Sequence, residues 1–339
     1  MSTEDPDITF DEQGVCNYCH YADSQANARR LFIDQRPWVI NELRKAGRGK
    51  NYDCLIGLSG GVDSSIALHY LVENGLRPLT FTVDNGWNTP ASDENIMRLV
   101  EGLKVPFYRY TLNLEAFRSL QRAFIQSGVA NIEIPTDHVL MATTYEMARK
   151  YKIKHIVSGG NWQTEGTMPP SYGYQARDLT HITAIARKFN YGKVLLQLPT
   201  ISLPQYLRYR FLERIKVVNL LDYYNYNREQ AQQILEEKYK WKRYGEKHGE
   251  SVFTKWFQDF YLPQAHNLDK RRPHFSSLIH SGQLTREQAS NLLEYKLIWP
   301  PSPFPDIKYF VSHPYTEYPT NERWWNLLSS IYGHFKKQD

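Results

Sequence analysis

Three cysteines in 339 residues are too few to hold a chain of this size together with disulfides. No apolar run comes near the roughly 20 residues that a membrane-spanning helix needs, and residues 1–30 are polar with no signal-peptide core. A soluble, cytoplasmic protein is therefore expected. Neither an internal repeat nor a low-complexity tract interrupts the chain. Charge of one sign is barely in excess: 41 Lys and Arg against 36 Asp and Glu leave +5, scattered along the sequence. That balance suits a small anionic substrate and permits nucleic acid without requiring it. With 41% hydrophobic and 23% charged residues the chain can bury an ordinary core, and its length exceeds one typical domain.

The richest stretch runs Leu55-Ile56-Gly57-Leu58-Ser59-Gly60-Gly61-Val62-Asp63-Ser64-Ser65-Ile66-Ala67-Leu68. An apolar run of strand length meets two glycines and small hydroxyl residues, then enters a helical pattern. Backbone N–H groups converge on an anion only where side chains leave room, which Gly60 and Gly61 provide. Ser64 and Ser65 open a helix whose unpaired N–H groups and positive dipole end face the loop. The Gly-Lys-Ser/Thr ending of a Walker A loop is missing. Ser59-Gly60-Gly61-Val62-Asp63-Ser64 resembles instead the PP-loop of ATP pyrophosphatases, SGGxDS. That resemblance implies a loop that holds the β,γ-pyrophosphate as leaving group, so that attack falls on the α-phosphate.

Strands are expected over 52–58, Pro78–Asp84, 105–110 and His155–Ser158, with helices over 64–74, 92–103, 115–127 and 137–151. Their alternation predicts βαβ units and a parallel sheet, whose ligands bind beyond the carboxyl ends of the strands. Asp63 would place Mg²⁺ or orient phosphates. At the end of the second strand Asp84, Asn85 or the backbone beside them would bond the adenosine, or would simply form a turn. Gly159 and Gly160 permit close backbone approach to the nucleotide, while Asn161 and Glu165 offer polar atoms to ribose, metal or acceptor. Asp137 and His138 read either as a helix cap with its neighbour or as site residues.

Helical patterns dominate after residue 200: 203–214, Arg228–Tyr239, 252–262, 273–281, 285–297 and 322–336, with a short strand at 216–220. Thr285 and Gln288 make a capping box, and Pro300 and Pro301 stop that helix. Three regions are expected: an N-terminal Cys-x-x-Cys segment and lead-in helix (1–50), a nucleotide-binding core (51–200) and a helical substrate or partner region (201–339). Cys16 and Cys19 have the spacing of a zinc knuckle but supply two of four ligands, so a zinc half-site and an unoccupied pair are both open. Cys54 reads as a buried strand residue. His248, Glu250, Lys270 and Arg271 form a polar cluster suited to an anionic sugar, a nucleotide or RNA phosphates, or simply a solvated face.

Together Asp5-Pro6-Asp7-Ile8-Thr9-Phe10-Asp11, Gly14-Val15-Cys16-Asn17-Tyr18-Cys19, the Ser59–Ser64 loop, Ser158-Gly159-Gly160-Asn161 with Thr164-Glu165-Gly166, Lys247-His248-Gly249-Glu250-Ser251 and Asp269-Lys270-Arg271-Arg272 resemble the N-acetyl sugar amidotransferases of bacterial surface-polysaccharide biosynthesis, a branch of the PP-loop superfamily. The family pattern usually carries a further Cys-x-x-Cys ahead of Asp5, which this sequence lacks.

The resemblance implies an α/β fold with an adenine nucleotide alpha-hydrolase-like sheet. It also implies a reaction in which ATP adenylates a sugar acetamido oxygen and ammonia replaces that oxygen, releasing AMP and pyrophosphate. Ser59, Asp63 and Ser64 would be catalytic; Gly60, Gly61, Ser65, Asp84, Gly159, Gly160 and Asn161 would complete the ATP and Mg²⁺ site. Ser2 follows Met1 where an N-terminal-nucleophile glutaminase needs Cys, and Cys54 lies outside any glycine-bounded turn. A separate glutaminase subunit, with a cyclase-like channel subunit, is the expected ammonia source. The competing readings are a PP-loop tRNA-thiolating enzyme and a non-catalytic nucleotide-binding scaffold.

Overall fold

The computed structural model describes residues 1, 3, 5–173, 175–244, 249–298, 301–307 and 317–335. Strands β1 (Cys54–Gly57), β2 (Pro78–Asp84), β3 (Phe107–Thr111), β4 (His155–Ser158) and β5 (Lys216–Asn219) lie side by side in the order β3-β2-β1-β4-β5. Every pair is parallel. Two register pairs, Ile56 with Thr80 and Ile56 with Val157, place β1 at the centre. The order reverses between β1 and β4, which opens a crevice beyond their carboxyl ends.

Side chains of β1 alternate between the two faces, as a period of two requires. Leu55 enters one core with Phe117, Phe124 and Tyr145, while Cys54 and Ile56 enter the other with Leu43, Ile66 and Leu235. Helices α2 (Arg36–Ala46), α3 (Val62–Glu73), α4 (Pro90–Leu103) and α10 (Arg228–Tyr239) cover the second face. The first carries α5 (Leu114–Ser127), α6 (Ile134–Lys150), α8 (Leu179–Lys188) and α11 (Val252–Trp256). Phe117 and Phe124 are fully buried there, and truncating either to alanine would cost about 3–5 kcal/mol. Cys54 is buried as expected, and burial pushes its thiol pKa up.

Local chemistry sets the boundaries. Thr89 caps α4 by accepting from the Ser92 N–H at 3.3 Å, with Pro90 at the first helical position. Asn113 caps α5, which ends on Gly128 at φ 71°. The Thr285–Gln288 capping box is present and opens α14 (Arg286–Glu294), which ends short of residue 297; residues 299 and 300 lie outside the described residues.

Residues 1–30 read as turn-rich, yet α1 spans Asn17–Asp34. Its polar sequence hid it; the Cys16 sulfur accepts from the Cys19 N–H and caps the first turn. Beyond residue 200, β5 pairs with β4 and extends the core sheet, while α10 packs on α3. Further helices are α7 (Trp162–Glu165), α9 (Leu203–Leu207), α12 (Leu262–His266), α13 (Arg271–His280) and α15 (Glu322–Phe335). Among the described residues no helix is long and apolar enough to cross a membrane.

Candidate active site

The loop after β1 turns on Gly60 at φ +78°, where a Cβ would stand 2.5 Å from the Ser92 carbonyl oxygen; only glycine fits. Gly61 is extended and caps α3, so Asp63 falls in the first turn. The Ser64 hydroxyl accepts from the Ser59 N–H at 3.3 Å and the Ser59 hydroxyl from the Gly61 N–H at 3.2 Å, bracing the bend. Gly159, just past β4, packs on that bend: a Cβ there would lie 2.7 Å from the Ser64 nitrogen.

Ser59, Gly61, Asp63, Ser64, Gly159 and Gly160 thus surround one cavity of about 210 Å³, which Glu165 and Glu250 also line. A larger cleft of about 690 Å³ shares Ser59, Ser64, Glu165 and Glu250 as a common wall. It extends over the carboxyl end of β2 to Asn85 and over the start of α6 to Glu133 and Asp137. The two spaces therefore meet at the loop.

Several predicted residues do other work. Ser65 is buried within α3 and lines neither space. Asp84 accepts from the Gly86 N–H at 3.1 Å and faces Arg109 at 3.7 Å, also outside both, while its neighbour Asn85 lines the cleft. The buried Asn161 caps α7, accepting from the Thr164 N–H at 2.9 Å and donating to the Gly159 carbonyl at 3.2 Å. Its short side chain shapes the glycine turn from within.

Lys270 lines the cleft and an adjoining cavity of about 300 Å³. Arg271 faces only the latter, pairing with Asp269 at 2.7 Å and donating to the Tyr295 carbonyl at 2.8 Å. His248 lies outside the described residues. His138 is buried: its Nε2 accepts from the Ile201 N–H at 3.2 Å, so Nδ1 carries the proton donated to the Ala176 carbonyl at 2.7 Å. Burial drops its pKa to about 4. Asp137 is not a cap, since Glu133 precedes the helix in that position.

Three residues that touch or line the loop cavity's walls were not legible beforehand. The Tyr244 hydroxyl accepts from the Val62 N–H at 3.3 Å, so a loop donor is already engaged. Arg228 lines the small cavity, and the buried Tyr226 hydroxyl donates to Asp63. All three lie far downstream among aromatics and cations that read as core or surface.

The zinc expectation does not fit the donors present. The Cys16 and Cys19 sulfurs lie 3.3 Å apart, but His20 is held by Asp11 at 2.7 Å. No group of three or more metal-ligating side chains forms among the described residues. Two thiols are half of a tetrahedral set. Mg²⁺ asks less, because one or two carboxylates plus substrate phosphates suffice; Asp63, Glu165 and Glu250 line the small cavity.

No curated protein matches the chain. Among solved structures, similar folds include the NH3-dependent NAD synthetase from Campylobacter jejuni (15% identity, 62% of this chain and 93% of that one, TM-score 0.31). Others are NMN synthetase from Francisella tularensis (16%, 70% and 94%, TM-score 0.33) and the glutamine-dependent NAD+ synthetase from Acinetobacter baumannii (16%, 73% and 52%, TM-score 0.30). Residues 250–314, which carry Glu250, Lys270 and Arg271 of the cleft region, match the family described as LPS biosynthesis protein WbpG-like, C-terminal domain.

Proposed function

We propose that the protein is an ATP-dependent amidotransferase of surface-glycan biosynthesis, the synthetase subunit that adenylates an acetamido group of an activated sugar and replaces its oxygen with ammonia. The observation that carries this reading is the shared wall: Ser59, Ser64, Glu165 and Glu250 border both the small loop cavity and the large cleft. An α-phosphate leaving the loop would meet an acceptor in the cleft with no intervening barrier.

An acetamido carbonyl is a poor electrophile because resonance ties up its carbon. Transfer of the adenylyl group to its oxygen makes a leaving group, and pyrophosphate departs on the Ser59–Ser64 loop and the α3 dipole. Ammonia then attacks the activated carbon and AMP leaves. Holding both reactants across one wall contributes proximity. Mg²⁺, held by Asp63 with Glu165 or Glu250, would neutralise charge on the departing diphosphate. A separate glutaminase would deliver the ammonia, and the cytoplasm would be the site of reaction.

The test is incubation with ATP, Mg²⁺, NH4⁺ and a panel of nucleotide-linked acetamido sugars. AMP, pyrophosphate and acetyl-to-amidine conversion by mass spectrometry support the reading. ADP and inorganic phosphate as the only nucleotide products overturn it. Efficient use of glutamine by this chain alone would remove the partner glutaminase.

A further inference from the structure

At the far end of the large cleft stand two carboxylates that the phosphate loop does not use. Glu133 caps α6 and Asp137 follows one turn later, its N–H donating to the Glu133 carbonyl at 3.1 Å. Residues so spaced bring their Cβ atoms within about 5–6 Å. The Thr254 hydroxyl donates to Glu133 Oε1 at 2.6 Å, fixing that side chain from the C-terminal half. Between the two acids Thr136 is 9% exposed and lines the same cleft, and its hydroxyl has no hydrogen-bond partner among the described residues.

Lys270, Glu250 and Glu165 are the other charged groups facing the pair. Glu133 is half-buried, whereas Asp137 is exposed and open to the cleft. Burial first, and then the charge of Asp137, raises the Glu133 pKa to about 8. Desolvation by the surrounding protein, with Glu165 adding to it against Lys270, also raises the Asp137 pKa. Two carboxylates one helical turn apart disfavour each other's ionisation, so a proton is retained more readily on the pair than on either acid alone.

We propose that Glu133, Thr136 and Asp137 form the subsite that binds the attacking amine and accepts its proton, with Asp137 as the base and Glu133 and the Thr136 hydroxyl positioning the nitrogen. This rests on the amidotransferase reading and assigns its second step. Ammonia's lone pair forms the new C–N bond to the adenylated carbon, giving a tetrahedral adduct whose attacking nitrogen carries a positive charge. Asp137 takes one proton from that nitrogen. The C–O bond to the adenylyl group then breaks, AMP leaves with the electron pair, and the amidinium remains.

The full chain is assayed with ATP, Mg²⁺ and a nucleotide-linked acetamido sugar, using ammonium chloride or hydroxylamine as nucleophile. Wild type, Asp137→Asn and Glu133→Gln are compared in two readouts: acceptor-dependent pyrophosphate release in a single turnover, and amidine or amidoxime formation. For Asp137→Asn, pyrophosphate release should persist, amidine formation from ammonium should fall about 100-fold or more, and hydroxylamine should restore turnover as amidoxime. Turnover per unit of free ammonia should fall at acid pH in the wild type, where Asp137 is protonated, and should lose that dependence in the same variant. For Glu133→Gln, the KM for ammonium should rise more than kcat falls. Loss of ammonium and hydroxylamine turnover together, or loss of neither, overturns the subsite while leaving the synthetase reading intact. A wild type that releases no pyrophosphate with any acetamido sugar overturns that reading and this inference with it.

Discussion

The Tyr226 hydroxyl donates to the Asp63 carboxylate, tying the phosphate loop to a residue 163 positions further along the chain. Tyr226 is buried, and burial together with the Asp63 charge pushes its phenol pKa up, so the proton stays available to donate. Tyr226→Phe removes a bond to a charged group, worth about 1.5–3 kcal/mol. Urea unfolding should show a loss of that order, and AMP formation should slow because Asp63 is no longer oriented.

Asp63→Ala should abolish AMP formation while the far-UV circular dichroism stays that of the wild type. Normal turnover in this variant would take Asp63 out of the mechanism.

Gly159→Ala sets a methyl group 2.7 Å from the Ser64 nitrogen and 2.8 Å from the Asp63 carbonyl carbon, both backbone atoms. Overpacking of this kind costs about 1–3 kcal/mol. The β4 turn and the phosphate loop must then separate, so ATP affinity measured by calorimetry should fall further than global stability does. Equal ATP affinity would mean that the two turns need not touch.

Much of this was visible from residue order alone, for physical reasons that differ by region. The loop after β1 announced itself because strand, glycine turn and capped helix each leave a different pattern in adjacent residues. The sequence marks β5 as a short strand but not its place: as an edge strand it exposes Val217 at 43%, and nothing in its own residues says that it extends the core sheet. Asn161 and Arg271 looked like ligand-binding residues because capping and ion pairing use the same chemistry as ligand binding. Tyr226 and Tyr244 could not be found at all, since their contacts to the loop are set by how the chain returns over the sheet.

His138 stays neutral in the folded protein near pH 7, its pKa lowered by burial from the usual 6.5 to about 4. The unfolded chain therefore binds this proton first as pH falls, and the stability that His138 contributes above pH 6.5 is lost progressively towards pH 4. His138→Gln should flatten the fall in unfolding free energy across that window by up to about one proton's worth. A slope identical to wild type would place the acid sensitivity elsewhere.

Cys16 acts through its cap of α1. Cys16→Ser keeps a side chain that caps well, whereas Cys16→Ala should cost about 1 kcal/mol by thermal or urea unfolding. Chelation should leave the wild-type melting temperature unchanged; a fall on adding EDTA would mean that a metal completes the Cys16–Cys19 pair.

Because the Val62 N–H already rests on the Tyr244 oxygen, the cradle holds an internal placeholder where a guest would sit. Any anion that enters exchanges with that hydroxyl, so its gain is a difference between two bonds. Stray monovalent ions gain little from such an exchange, while a polyphosphate that reaches several N–H groups at once gains on all of them. Selectivity for a polyphosphate over simple salts would then come from competition within the chain itself.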